Sequence, residues 1–175
     1  MDSGVAPVDT SVNGRDSARD DGDRTLCGLF RGEVPLRRVL FDSDVLIDVL
    51  SQRQPFAMAS TLALDAVEQS GIEGWIAAHA VTNIFYILRR QVGAERTREL
   101  LTHLLLRLRV ASVTDAVIRQ ALSSAMTDFE DAVMGAAAVA ASMDVIVTRN
   151  VSDYGNSVVL VMLPEAFLVA LSAQE

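Results

Sequence analysis

The sequence predicts an α/β chain: a three-layer α/β/α arrangement around a short, mainly parallel central sheet. Brief apolar runs such as Val39–Phe41 and Val145–Val147 recur between longer segments whose apolar residues repeat with a period near 3.6. Strands that alternate with helices, each strand short and apolar throughout, belong in a parallel sheet covered on both faces. The first run also ends in a carboxylate, Asp42. Open α/β sheets build their sites at that carboxyl rim.

The elements follow in order. Strand one is expected over Arg38 to Asp42, with a short helix through Leu50. Pro55 suits the first turn of a second helix, in which Phe56, Ala59, Leu62, Ala63, Ala66 and Val67 form one face and Gly71 is the stop. Glu73 to Ala77 is a second strand. A third helix runs from Ala80 to Val92 with Gly93 as terminator, and a fourth from Ala94 to Arg107 carries a leucine face. Val110 to Val113 is β-like, and Thr114 or Asp115 caps a fifth helix ending near Ser124. Asp128 opens an alanine-rich helix over Ala132 to Ala141, whose small residues permit close packing on a sheet. Asp144 to Thr148 and Val158 to Met162 are further strands, and Pro164 opens a last helix that ends near Ala173.

Residues 1–36 show neither period and few large apolar side chains, so they read as a disordered leader, with the folded domain at 37–175. Half of the 175 residues are hydrophobic, enough for one core. The single cysteine excludes a disulfide framework or a thiolate metal site and suggests a reducing, cytoplasmic setting. No apolar run reaches the roughly 18 to 20 residues of a membrane span, so no membrane partner is expected. A net charge of −8 argues against nucleic-acid binding by charge density alone, though not against a local basic stripe. All fifteen basic residues are arginine, a usage that genome composition also produces.

Three groups of acids fall at strand or helix junctions: Asp42, the Asp128, Glu130 and Asp131 cluster, and Asp153 beyond the Asp144 to Thr148 strand. Converging on one edge they would repel one another unless a cation sat among them, and oxygen donors favour Mg²⁺ or Mn²⁺ over zinc. Each also has a plainer reading. Asp128 and Asp131 suit N-cap and N3 positions of a helix, Asp44 and Asp48 a first turn, and Asp153 a turn. His79 and His103 lack an evident partner and read as structural. No Gly-rich phosphate loop occurs, and no Ser or Thr has a His partner for a triad.

Four segments, Phe41–Asp48, Val81–Arg90, Asp128–Ala132 and Ile146–Tyr154, stand in an order and spacing by which the chain from Val39 to Ala170 resembles PIN-domain ribonucleases of the VapC-like toxin group. Pro164–Leu168 is similar to the closing helix of one PIN subgroup. The resemblance implies a Mg²⁺- or Mn²⁺-dependent endoribonuclease in which Asp42, Asp131 and Asp153 are the catalytic, metal-binding acids. Asp128 and Glu130 flank them as direct or water-mediated ligands, and Thr148 and Asn150 match polar positions of the late motif. Asn83 stands where many PIN nucleases carry a glutamate, supplying an amide in place of a charge and leaving open a one-metal or two-metal mechanism. RNA is the implied substrate, with Arg89, Arg90 and Arg149 as the arginines expected to hold it. An antitoxin protein and a second copy in a homodimer are the implied partners.

Two other readings compete. A PIN-like scaffold without activity could serve as a binding module, which Asn83 favours and the retained acids oppose. A haloacid-dehalogenase-like phosphatase would use Asp42 as nucleophile and Asp44 two residues on. That family needs a basic residue, usually lysine, at its phosphate, and the chain has no lysine.

Overall fold

The computed structural model describes residues 36–69, 71–155 and 157–174. The expected leader falls on residues outside these, except Leu36. Leu36 is buried in the core, and its N–H donates to Gln174 Oε1 at 3.3 Å.

The chain runs β1 (Arg38–Phe41), α1 (Ser43–Ser51), α2 (Ala57–Gln69), β2 (Glu73–Ala77), α3 (Ala78–Val92), α4 (Ala94–Arg107), β3 (Arg109–Ala111), α5 (Asp115–Leu122), α6 (Phe129–Ala140), β4 (Val145–Val147), a 3-10 turn (Val151–Tyr154), β5 (Leu160–Met162) and α7 (Pro164–Ser172). The sheet order is β3-β2-β1-β4-β5 and every pairing is parallel. Val39 to Phe41 and Val145 to Val147 are 0% exposed. A strand covered on both faces has no polar side to alternate with, which is why these runs are apolar throughout.

Helices α1, α2, α3, α4 and α7 pack on one another in a connected group, and α5 packs on α6. Right-handed crossovers put these two groups on opposite faces of the sheet. Phe41 of β1 meets Phe167 of α7 edge to face, ring centroids 6.4 Å apart. Among the described residues no helix is long and apolar enough to cross a membrane.

Several boundaries shift. Pro55 lies in the turn before α2. Helix α3 starts at Ala78, directly after β2, and β5 begins only at Leu160, past a Val158 that is 90% exposed. Gly93, at φ +82°, joins α3 to α4 in a backbone conformation L side chains avoid. Gly74 has a different reason to be glycine: a Cβ there would lie 2.5 Å from Leu108 Cδ2 and 3.0 Å from Val67 Cγ1. Gly74→Ala should therefore cost about 1–3 kcal/mol by overpacking, read as a lower denaturant midpoint at unchanged slope.

At the start of the sheet Asp144 Oδ2 accepts the N–H groups of Arg37 and Arg38, at 2.9 and 2.8 Å. The chain moves from β1 outward through β2 to β3, then returns to β4 on the other side of β1. The strand order thus reverses between β1 and β4, where doubly wound sheets open a crevice at their carboxyl ends.

Candidate active site

Asp42 leaves β1 at that crevice. Its N–H continues the ladder to Val147 O at 3.0 Å, and its carbonyl accepts Leu46 N–H at 3.2 Å, so it is the N-cap residue of α1. Its carboxylate does not cap the helix. Instead Oδ2 accepts the hydroxyl of Thr148 at 2.7 Å, from the end of β4. Thr148 is 0% exposed and its Oγ1 also accepts the N–H of Asn150 at 3.0 Å. The two strands flanking the crevice are therefore joined through side chains whose backbone positions the sheet register sets. Burial pushes the Asp42 carboxyl up to about 6, with Asp131 and Asp44 pushing the same way and the Thr148 hydroxyl opposing.

The start of α6 supplies the second group. Asp128 caps the helix in full: Oδ1 accepts the N–H groups of Glu130 and Asp131 at 2.7 and 3.3 Å. Its plainer reading is the one its contacts support. Asp131 does not reach back to complete a capping box; its Oδ1 accepts the hydroxyl of Tyr154, from the 3-10 turn, at 3.1 Å. Burial lifts Asp131 to about 6 against that hydrogen bond, helped by Asp128, Asp153 and Glu130. Burial and the neighbouring acids also raise the Tyr154 phenol, so it stays protonated and remains a donor. Glu130 Oε1 accepts the hydroxyl of Ser43 at 3.1 Å, tying α6 to the start of α1.

Asp42, Asp131 and Asp153 thus act on one another electrostatically in sequence, Asp42 with Asp131 and Asp131 with Asp153. Among the described residues no three His, Cys, Asp or Glu side chains close on one point as a metal site. The donor set nonetheless fits a hard divalent cation. It offers carboxylate oxygens, and at Asp42 and Asp131 burial and the neighbouring acids disfavour the ionised form, a penalty a cation relieves. Asn83 lies one turn beyond His79 on α3, so the two share a helix face. Burial pushes the His79 imidazole down, while Glu130 pulls it up.

The three expected RNA-binding arginines separate. Arg89 and Arg90 are exposed at the end of α3. Arg149 is turned inward: Nη2 lies 2.9 Å from Asp44 Oδ2, Nε lies 3.1 Å from Asp48 Oδ2, and the guanidinium stacks on Phe56 at 4.5 Å. Asn150 Nδ2 adds a bond to Asp44 at 3.4 Å. Asp44 and Asp48 are therefore neutralised within the fold. Tyr154, Ser43 and His79 are neighbours of the acids that sequence reasoning did not assign. No local spacing marks them, since each meets its partner across the fold.

A family model for the PIN domain matches residues 38–152. No curated protein matches the chain. Among solved structures it is similar to a toxin-antitoxin complex from Klebsiella pneumoniae, at 20% identity over 72% of this chain and 97% of that one, TM-score 0.57. It is also similar to FitAcB from Neisseria gonorrhoeae, at 20% over 73% and 98%, TM-score 0.56. VapC20 from Mycobacterium tuberculosis, described as a Sarcin-Ricin loop cleaving toxin, aligns at 13% over 62% and 86%, TM-score 0.51. At such identities the likeness is one of fold. The family match itself runs from the first residue of β1 through the loop after β4 and includes both Asp42 and Asp131, and the chain belongs to the PIN-domain family.

Proposed function

We propose that the chain is a metal-dependent endoribonuclease and the toxin of a toxin-antitoxin pair. The observation that carries this reading is Asp42, a buried carboxylate at the strand-order reversal that forgoes capping its own helix and instead accepts the Thr148 hydroxyl. A solvated surface acid has no need of that arrangement, and burying it without a counter-charge is costly.

Asp42, Asp131 and Asp153 are the residues that would hold Mg²⁺ or Mn²⁺. When bound, such an ion supplies an activated water and polarises a phosphoryl oxygen. Thr148 fixes the rotamer of Asp42, and Tyr154 fixes that of Asp131. Ser43 holds Glu130 at the edge of the crevice, and Asp128 rigidifies the first turn of α6 beneath it. Asn83 offers an amide oxygen in place of a charge. Asn83→Glu should accordingly tighten Mn²⁺ binding about tenfold, since affinity follows ligand charge. Calorimetric titration checks this, and an unchanged isotherm would place Asn83 away from the ion.

The toxin assignment rests on the neighbours of the fold, which include toxin-antitoxin complexes. It brings a cognate antitoxin and a homodimer as partners. The test is cleavage of a mixed structured and single-stranded RNA pool with Mg²⁺, Mn²⁺ or EDTA, beside Asp42→Asn. Metal-dependent cleavage lost in the variant supports the nuclease. Its absence across the pool would favour a binding module, as the neutral Asn83 does.

A further inference from the structure

We propose that the exposed face of α3 with the adjoining turn of α4 is a stacking platform for unpaired RNA, on which Tyr86 carries a base and Arg89, Arg90 and Arg98 meet the flanking phosphates. The proposal rests on the nuclease reading and names the form of RNA that site takes.

The platform begins at the carboxyl edge of the sheet, where α3 follows β2 directly and where Asp42 leaves β1. His79, Asn83, Tyr86 and Arg90 follow at intervals of four, three and four, which places them in one stripe along α3, about 16 Å long at 1.5 Å per residue. Exposure rises along it: His79 and Asn83 are partly buried, whereas Tyr86 is 57% exposed and Arg90 lies in solvent. A substrate strand leaving the acids along this stripe meets an aromatic face within two turns.

Charge points to the occupant. Helix α3 contains no Asp or Glu in a chain of net charge −8. Among the described residues most arginines pair with an acid, and those that do not are Arg37, Arg89, Arg90 and Arg98. Three of these four meet on this one surface. They are also set against aromatic rings: Arg89 lies over Tyr86 at 5.0 Å, Arg98 over Phe85 at 5.5 Å, and the two rings meet edge to face at 5.6 Å. Guanidinium groups with no carboxylate partner beside an exposed ring are what a single strand uses, one binding its phosphates and the other its bases. A duplex keeps its bases stacked inside and gains nothing from the ring.

The test measures binding of a labelled single-stranded RNA 12-mer, and of its duplex, to the full chain carrying Asp42→Asn so that nothing is cut. Adding Tyr86→Ala should raise the single-strand Kd about tenfold, with Tyr86→Phe close to its parent and duplex binding unmoved. Arg89→Gln and Arg98→Gln should each flatten the salt dependence, by roughly 0.7 in slope. Melting temperatures should stay put, since Tyr86 is exposed. Unchanged RNA affinity in Tyr86→Ala overturns the proposal. So does a change from dimer to monomer at unchanged RNA affinity, which would assign the face to a second copy. Metal-dependent cleavage with the KM of Tyr86→Ala unaltered sinks the platform and leaves the nuclease standing; neither binding nor cleavage by any form sinks both.

Discussion

Asp42→Asn should reduce RNA cleavage on the order of a thousandfold, the scale of losing a preorganised electrostatic group, while making the metal-free protein more stable at neutral pH. The two effects have one cause. Burial holds the Asp42 carboxyl at about 6, above its ordinary 3.8. A carboxyl whose folded pKa exceeds its unfolded pKa binds its proton better in the native state, so ionising it opposes folding above pH 6. That opposition fades as pH falls from 6 toward 3.8. Asparagine keeps the volume and can still accept the Thr148 hydroxyl, but carries no charge to desolvate. In EDTA at pH 7.5 the variant should gain up to about 3 kcal/mol, the free energy of a shift from 3.8 to about 6. The gain should vanish near pH 4, and Mg²⁺ should stabilise the native chain but not the variant. Thermal melts at pH 4, 6 and 7.5 with and without Mg²⁺ check this. A variant less stable than the native protein at pH 7.5 in EDTA would show that the carboxylate is not strained there.

Arg149→Met should be the most destabilising single change near the site, by about 3–5 kcal/mol. Asp48 is 0% exposed, and its remaining partners would be Arg53, at 3.7 Å, and the Ser60 hydroxyl, at 3.4 Å. Burial already raises the Asp48 carboxyl, with Arg149 the largest opposing influence. Without that arginine the carboxyl rises further and takes up a proton on folding, so the deficit should shrink as pH is lowered. Denaturant midpoints at pH 5 and 7.5 measure it, and adding Asp48→Asn should restore most of the loss. Equal deficits at both pH values, with no rescue, would mean that the packing of Arg149 on Phe56 dominates.

How far each feature was legible follows from the range of the interaction behind it. β1 and β4 are buried on both faces, so composition alone announced them, whereas β5 is an edge strand whose exposed Val158 looked like part of the run. Asp42 was marked as a candidate by the strand before it, and Asp131 by the helix start around it. The partner of Asp131 was not. That Asp131 accepts from Tyr154 instead of closing a cap depends on a bond spanning 23 residues. Arg149 was expected at the RNA surface and points inward because Asp44 and Asp48, about a hundred positions earlier, lie across from it, and no local period encodes such a pairing.

The clasp of Asp144 on the backbone of Arg37 and Arg38, with Leu36 bonded to Gln174, brings both ends of the described fold together at the far edge of the sheet from the acids. A four-residue strand, about 13 Å, separates the two edges. A dye or cross-linker attached at residue 36 or 174 therefore leaves the acid crevice open. The same closeness suits circular permutation, with residue 174 linked to 36 by a short loop and new ends cut at Gly93, between two helices that already pack side by side.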